Sequence, residues 1–215
     1  EEEDAIIPLM PLIRDAVMRR MVRTTDTELV RANATGSAET VSGMNVALID
    51  GVATIAAAGS YEYTQPGTYG DPATIADLMQ ARRTMGTPGL MPGDVVYVVS
   101  QSVYFDLLED PDFRTMDLVG GAATILRGQV GSVLGSPVVI SDAFASDAAG
   151  AVQAVAFNSS NYLFGELRGL MVERDRDIEN QKNILVATRR FGMTEIVPSA
   201  GAGRSHCANL VRPAS

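Results

Sequence analysis

At 215 residues, with 46% hydrophobic and 20% charged residues, the chain can bury one large core or two smaller ones, which excludes disorder as its default state. A net charge of -9 and a pI near 4.6 exclude a chain built to grip nucleic acid, since phosphate binding needs a dense cationic face. The single cysteine, Cys207, excludes an intrachain disulfide and fits a reducing compartment, and no apolar run approaches the ~20 residues that span a bilayer.

In chain order, the first predicted element is a helix over residues 9–31. Ile13, Val17 and Met21 recur every four residues, with Leu9 and Leu12 on nearly the same face. Arg14, Arg19, Arg20 and Arg23 fill the remainder. Acidic Glu1 to Asp4 precede the helix and favour its positive N-terminal dipole; Pro8 and Pro11 suit its first turn. Thr24 to Thr27 are expected to interrupt or bend it. Residues 33–70 are rich in Gly, Ala, Ser and Thr, with strand candidates at 46–49 and 52–55, and read as a hairpin excursion or a mobile surface loop. Asp71-Pro72 predicts a cap and first helical position for a helix bearing Ile75, Leu78, Met79 and Met85, stopped at Gly86.

The continuous apolar run Val95–Val99 predicts a buried strand. Ser100 caps a following helix with Val103, Tyr104, Leu107 and Leu108, and Asp110-Pro111 ends it. Residues 118–128 read equally as turn or short helix. Strands are predicted at 130–134, 138–140, 151–157 and 184–197, the last with Gly192 as a bulge. From Ser199 the Gly, Ala, Ser and Pro content predicts a flexible tail, 199–215. Twenty Gly and ten Pro support this strand-rich or mixed α+β reading.

Few residues are arranged for chemistry. His206, the only histidine, sits beside Cys207, but two adjacent ligands fall short of a zinc site, so no metal or cofactor is expected. Glu173, Asp175 and Asp177, with Glu179, are the best candidates for paired catalytic acids. Arg174 and Arg176 interleave with them. In a strand, alternation puts the acids on one face and the arginines on the other, an edge suited to a neighbouring subunit. Methionines 18, 21, 79 and 85 read as core filler. The cations are sixteen Arg and one Lys, Lys182. Arg suits protein–protein contacts, and a codon bias would give the same excess.

The order of these elements resembles tailed-bacteriophage major capsid proteins. The helix ending in Asn33-Ala-Thr-Gly36 is similar to their spine helix and the turn after it. Ala81–Gly86, Val95–Ser100, Tyr104–Asp110, Leu134–Asp142, Gln153–Asn158, Leu170–Asp175 and Ile184–Arg190 follow in the family's order. The resemblance implies the Hong Kong 97-type fold: α+β, with a long spine helix and a peripheral-domain sheet in residues 1–90 and 170–198, and an axial domain in 91–169. It implies a non-enzymatic shell subunit that assembles with itself into pentamers and hexamers. It also implies contacts with portal or decoration proteins, enclosure of double-stranded DNA without sequence-specific binding, no membrane, and a place in the virion capsid after assembly in the bacterial cytoplasm. Family members carry an N-terminal arm and an extended loop before the spine helix, and neither is found upstream of Glu1's helix. Arg14, Arg19, Arg20, Glu173, Arg174, Asp175 and Arg176 are the candidate subunit-interface residues. The alternatives are an encapsulin-like compartment shell and a carboxylate-dependent hydrolase using Glu173 or Asp175.

Overall fold

The computed structural model describes residues 9–31, 51–58, 60–110, 131–144, 147–177, 179, 182–197 and 205–214. The strand expected at 46–49 and the stretch 118–128 lie outside them. Helix α1 (Leu9–Arg31) is continuous. The threonines expected to break it instead donate back to the preceding turn: Thr24 to the Arg20 carbonyl at 2.8 Å, Thr25 to Met21 at 2.9 Å and Thr27 to Arg23 at 3.1 Å. The hydroxyls that compete with helical hydrogen bonds are thereby satisfied within the helix.

Residues 52–55, expected as a strand, begin helix α2 (Val52–Ala58). Four of its seven residues are alanine, the strongest helix former, and Val52, Ala53 and Ala56 lie on one buried face. Gly51 lets α2 start against the end of α1: a Cβ there would sit 2.5 Å from backbone atoms of Val30 and Arg31. Backbone on both sides cannot yield easily. Gly51→Ala should therefore cost about 1–3 kcal/mol, the range for overpacking. A urea midpoint equal to that of the parent protein would show that the two helices can part without loss.

After β1 (Glu62–Thr64), helix α3 (Ile75–Thr84) starts three residues later than Asp71-Pro72 suggested. Thr74 is its cap. The backbone N–H and hydroxyl of Thr74 donate to Asp77 Oδ2 at 2.9 and 2.8 Å, and the Thr74 carbonyl accepts from the Asp77 N–H at 3.1 Å, a set of bonds that outcompetes Asp71. Asp71 instead closes a turn, accepting from the Thr68 N–H at 2.9 Å. Strand β2 (Val95–Val99) and helix α4 (Gln101–Glu109) fall where the sequence placed them, with Ser100 Oγ accepting from the Val103 N–H at 3.4 Å.

Strands β3 (Ser132–Val133), β4 (Ser136–Ile140), β5 (Val152–Asn158) and β8 (Cys207–Val211) complete a mixed sheet in the order β1-β8-β5-β2-β4-β3. The sheet is covered on both faces. Val95, Tyr97, Val99, Ala154, Ala156, Ala208 and Leu210 meet α3 and α4 through Leu78, Ala81, Met85, Val103 and Leu107. Val98, Val155, Phe157 and Cys207 point the other way, onto α2 and Val30 of α1. Of the methionines read as core filler, Met85 is fully buried while Met18 and Met79 are exposed.

The expected flexible tail is corrected by β8. Residues 207–211 are buried at every position, pairing antiparallel with β5 and parallel with β1. A strand buried on both faces has no polar alternation to announce it. Arg212, 6% exposed, locks its end: the guanidinium donates to Asp106 at 2.7 Å, Asp147 at 3.3 Å, Gln65 at 3.2 Å and the Asp71 carbonyl at 2.8 Å. Burial alone pulls this guanidinium's pKa down, but Asp106 and Asp147 outweigh burial and hold it up.

The remaining two strands form a separate ribbon. β6 (Tyr162–Asp177) and β7 (Lys182–Glu195) pair antiparallel along almost their whole length. Its irregularities lie on β6, between Glu166 and Met171, and not at Gly192, which pairs regularly with Gly165. Extra residues on one strand twist the ribbon there. Among the described residues, no helix is long and apolar enough to cross a membrane.

Candidate assembly surface

Among the described residues, most of the exposed large hydrophobic side chains lie on α1 and on or beside the ribbon. Alternation along the two strands turns Val172, Arg174, Leu185 and Ala187 towards α1 and leaves Met171, Glu173, Asp175, Ile184 and Val186 on the other face. Met171, Ile184 and Val186 are all exposed, as are Leu163, Ile196 and Val197 nearer the root. Leu167, at the irregular part of β6, is 83% exposed. On α1, Leu12 is 62% exposed and Val22 is also open to solvent. So many exposed apolar side chains on one pair of elements are the mark of an interaction surface.

The ribbon is anchored at its root and tied to the helix. Asn161 clamps the returning strand: its Nδ2 donates to the Val197 carbonyl at 2.8 Å and its Oδ1 accepts from the Val197 N–H at 3.0 Å. Tyr162 packs edge-on against Phe157 of the sheet at 5.7 Å and donates to Glu195 at 3.2 Å. Burial, then the neighbouring Cys207 thiol and Glu195, push the Tyr162 phenol far up, so it stays protonated as a donor. Further out, Arg189 donates to Glu166 at 2.7 Å and to Thr25 of α1 at 3.2 Å, with its guanidinium over the Phe191 ring at 5.4 Å. Farther along α1, an ion pair joins Arg23 to Asp142 and Arg31 donates to the Ala143 carbonyl at 3.4 Å, linking the helix to the loop after β4.

The structure divides the interface residues expected from the sequence. Arg14 and Arg174 come together, lining a cleft of about 560 Å³ between α1 and the ribbon with Asp15, Met18, Val172 and Leu185. Arg19 pairs with Asp15 at 3.2 Å on the exposed side of the helix, a contact worth about 0.3–0.5 kcal/mol. Arg20 is exposed on the same helix. Glu173 and Asp175 do share one face, as alternation required, and Asp175 accepts from the Arg176 N–H at 2.8 Å. Both are exposed, on the face of the ribbon away from α1.

Sequence reasoning missed Arg189, Asn161 and Arg212. The alternation of Ile184–Arg190 places Arg189 with Leu185 and Ala187, on the helix side, and was the one signal available. Cys207 opens strand β8, and His206, in the bend before it, accepts from the Asn158 N–H through its carbonyl at 2.8 Å; among the described residues no group of three His, Cys, Asp or Glu could hold a metal ion.

Comparison with known proteins places this architecture. The chain is 32% identical over 194 residues to the major capsid protein of Escherichia phage T5, covering 89% of this chain and 40% of that protein. It thus spans about two-fifths of the length of the curated relative it matches. The capsid of an empty GTA particle superposes with a TM-score of 0.67 at 17% identity, covering 98% of this chain and 68% of that one. A structure from Mycobacterium phage Bobi gives 0.66 at 17% identity, covering 99% and 68%. At such identities the likeness carries the fold, and the expected α+β arrangement of the Hong Kong 97 type is the one found. The sequence also matches the family described as phage capsid protein across residues 2–202. With that match spanning nearly all of a chain folded as capsid subunits are, the protein belongs to the phage capsid protein family.

Proposed function

We propose that the chain is the shell-forming part of a tailed-phage major capsid protein, assembling with copies of itself into the pentamers and hexamers of an icosahedral capsid. The observation that carries this is the ribbon. A two-stranded hairpin of this length is marginal on its own in water, and here it exposes apolar side chains on the face away from α1. Neighbouring subunits supply the burial it lacks. Its role is structural rather than catalytic.

The peripheral domain comprises α1 and the ribbon, and the axial domain the six-stranded sheet with α2 to α4. This division moves α2, β1 and α3 out of the peripheral part expected from the sequence, because they share the sheet's two cores, and moves residues 162–169 into it with the rest of β6. Arg14, Arg19, Arg20, Glu173, Arg174, Asp175 and Arg176 contribute charged contacts at the subunit boundary. The shell encloses double-stranded DNA, and a net charge of -9 lets the genome move past it without adhering. Portal and decoration proteins complete the virion, and assembly takes place in the bacterial cytoplasm.

Size exclusion with light scattering, followed by negative-stain microscopy of the main peak, tests this reading. Rings of five or six subunits or closed shells are expected. A monomer at all concentrations, persisting when the flanking sequence of the longer relative is supplied, overturns it.

A further inference from the structure

The turn between β3 and β4 carries a side chain that its backbone disfavours. Val133 pairs with Ser136, so the turn is Leu134-Gly135, with φ of +52° and +79°. Asparagine and glycine fill such a left-handed pair of positions readily, whereas leucine is strained at the first of them. Burial does not explain the leucine, since Leu134 is 45% exposed. Asparagine would relieve the strain and suit the solvent, so what leucine adds here is apolar contact. The tip is also held in place. Ser136 Oγ donates to the Pro92 carbonyl at 2.8 Å, while Arg82 donates to Ser136 Oγ at 3.4 Å and to the Leu90 carbonyl at 3.0 Å. These bonds tie the turn to Leu90 and Met91, which are 70% and 67% exposed.

A pocket of about 420 Å³ lies at the far end of the same strands, lined by Phe105 and Phe144 with Ser100, Ser102, Asp142 and Asp147. The Ser100 and Ser102 hydroxyls bond to each other at 3.0 Å, Asp142 is paired with Arg23, and Asp147 with Arg212. With these polar groups engaged and two rings in its wall, the pocket suits a neutral apolar side chain. We infer that Leu134 of one copy inserts into the Phe105–Phe144 pocket of the next. This rests on the reading of the chain as a self-assembling subunit and names one of its contacts. Geometry selects the neighbour. β2 and β4 run parallel, with the tip where they begin and the pocket where they end. The five residues of β2, at about 3.3 Å each, separate the two, so a chain cannot fill its own pocket. A tip on one end and its receptor on the other make a heterologous contact, the kind that closes into rings.

Leu134→Asn tests the tip. In dilute, unassembled subunits its thermal midpoint by circular dichroism is expected about 2–4 °C above that of the parent protein, because the turn is relieved. Light scattering is expected to show rings or shells only at a tenfold or higher protein concentration. A purely structural leucine would not move the two readouts in opposite senses. Disulfide trapping identifies the receiving surface. Chains carrying Leu134→Cys are mixed with chains carrying Ser102→Cys, co-assembled and oxidised with copper phenanthroline. The parent protein, whose Cys207 is buried, serves as the blank, and Leu134→Cys mixed with Met79→Cys on exposed α3 as the position control. A disulfide-linked dimer as the main product of the Leu134/Ser102 mixture, scarce in both controls, is expected. A lowered midpoint of Leu134→Asn, or its assembly at the parent protein's concentration, overturns the inference. If light scattering shows rings or shells but no linked dimer forms, the inference falls while the assembly reading stands. If the parent protein never assembles, both fall together.

Discussion

Arg212→Met is expected to be the most damaging single substitution in this protein. The side chain is 6% exposed and its guanidinium serves Asp106, Asp147, Gln65 and the Asp71 carbonyl, so it joins α4, the loop before β5, the loop after β1 and the end of β8. Methionine keeps most of the volume but leaves Asp106 and Asp147 without their cation in a part-buried site. Breaking such a pair from one side costs about 3–5 kcal/mol, a large share of the roughly 5–15 kcal/mol that holds a domain together. Urea denaturation should show a sharply lowered midpoint with an unchanged slope. Adding Asp106→Asn to Arg212→Met should recover part of the loss, because an amide can still accept from the Ala73 N–H that now donates to Asp106 at 2.9 Å. A single variant as stable as the parent protein would mean that water replaces the cation at no cost.

The second large effect concerns assembly rather than folding. Arg189→Met should sever the tie between the ribbon and α1, removing the bonds to Glu166 and Thr25 and the contact over Phe191. Glu166 is partly exposed and screened, so the stability loss should be only about 1–2 kcal/mol. The ribbon's direction is another matter. It projects from a root held by Asn161 and Tyr162, and small changes there move its far end through large distances. We expect folded subunits by circular dichroism, faster amide exchange along β6 and β7, and loss of ordered particles in negative stain. Normal particles built from the variant would place the control of ribbon direction in its root alone.

Much of the sheet and its helices was legible along the chain because their signals are local. Val95–Val99 is an apolar run of strand length, Ser100 is a cap, and the four-residue spacing of Ile13, Val17 and Met21 marks a helix. The ordered succession of such segments was also enough to indicate the capsid family, since order survives where individual motifs are weak. The errors arose where tertiary partners decide. Residues 52–55 are helical because an alanine-rich face fits beneath β5 and β8. Residues 207–211 form an inner strand because β1 and β5, both remote in sequence, leave a slot between them.

The same division holds for the assembly surface. Alternation alone placed Glu173 and Asp175 together on one face of a strand, and that is where they stand. Only the tertiary structure brought Arg14 to Arg174, because their meeting depends on α1 lying across the ribbon. Only it revealed Arg189, Asn161 and Arg212, whose hydrogen-bond partners lie 23 or more positions away. Sequence by itself determined the segments whose spacing and capping are local, such as α1, β2 and α4, and the family that their order composes. The tertiary structure decided which polar side chains hold those segments to one another, because a hydrogen bond across the fold leaves no periodic trace along the chain.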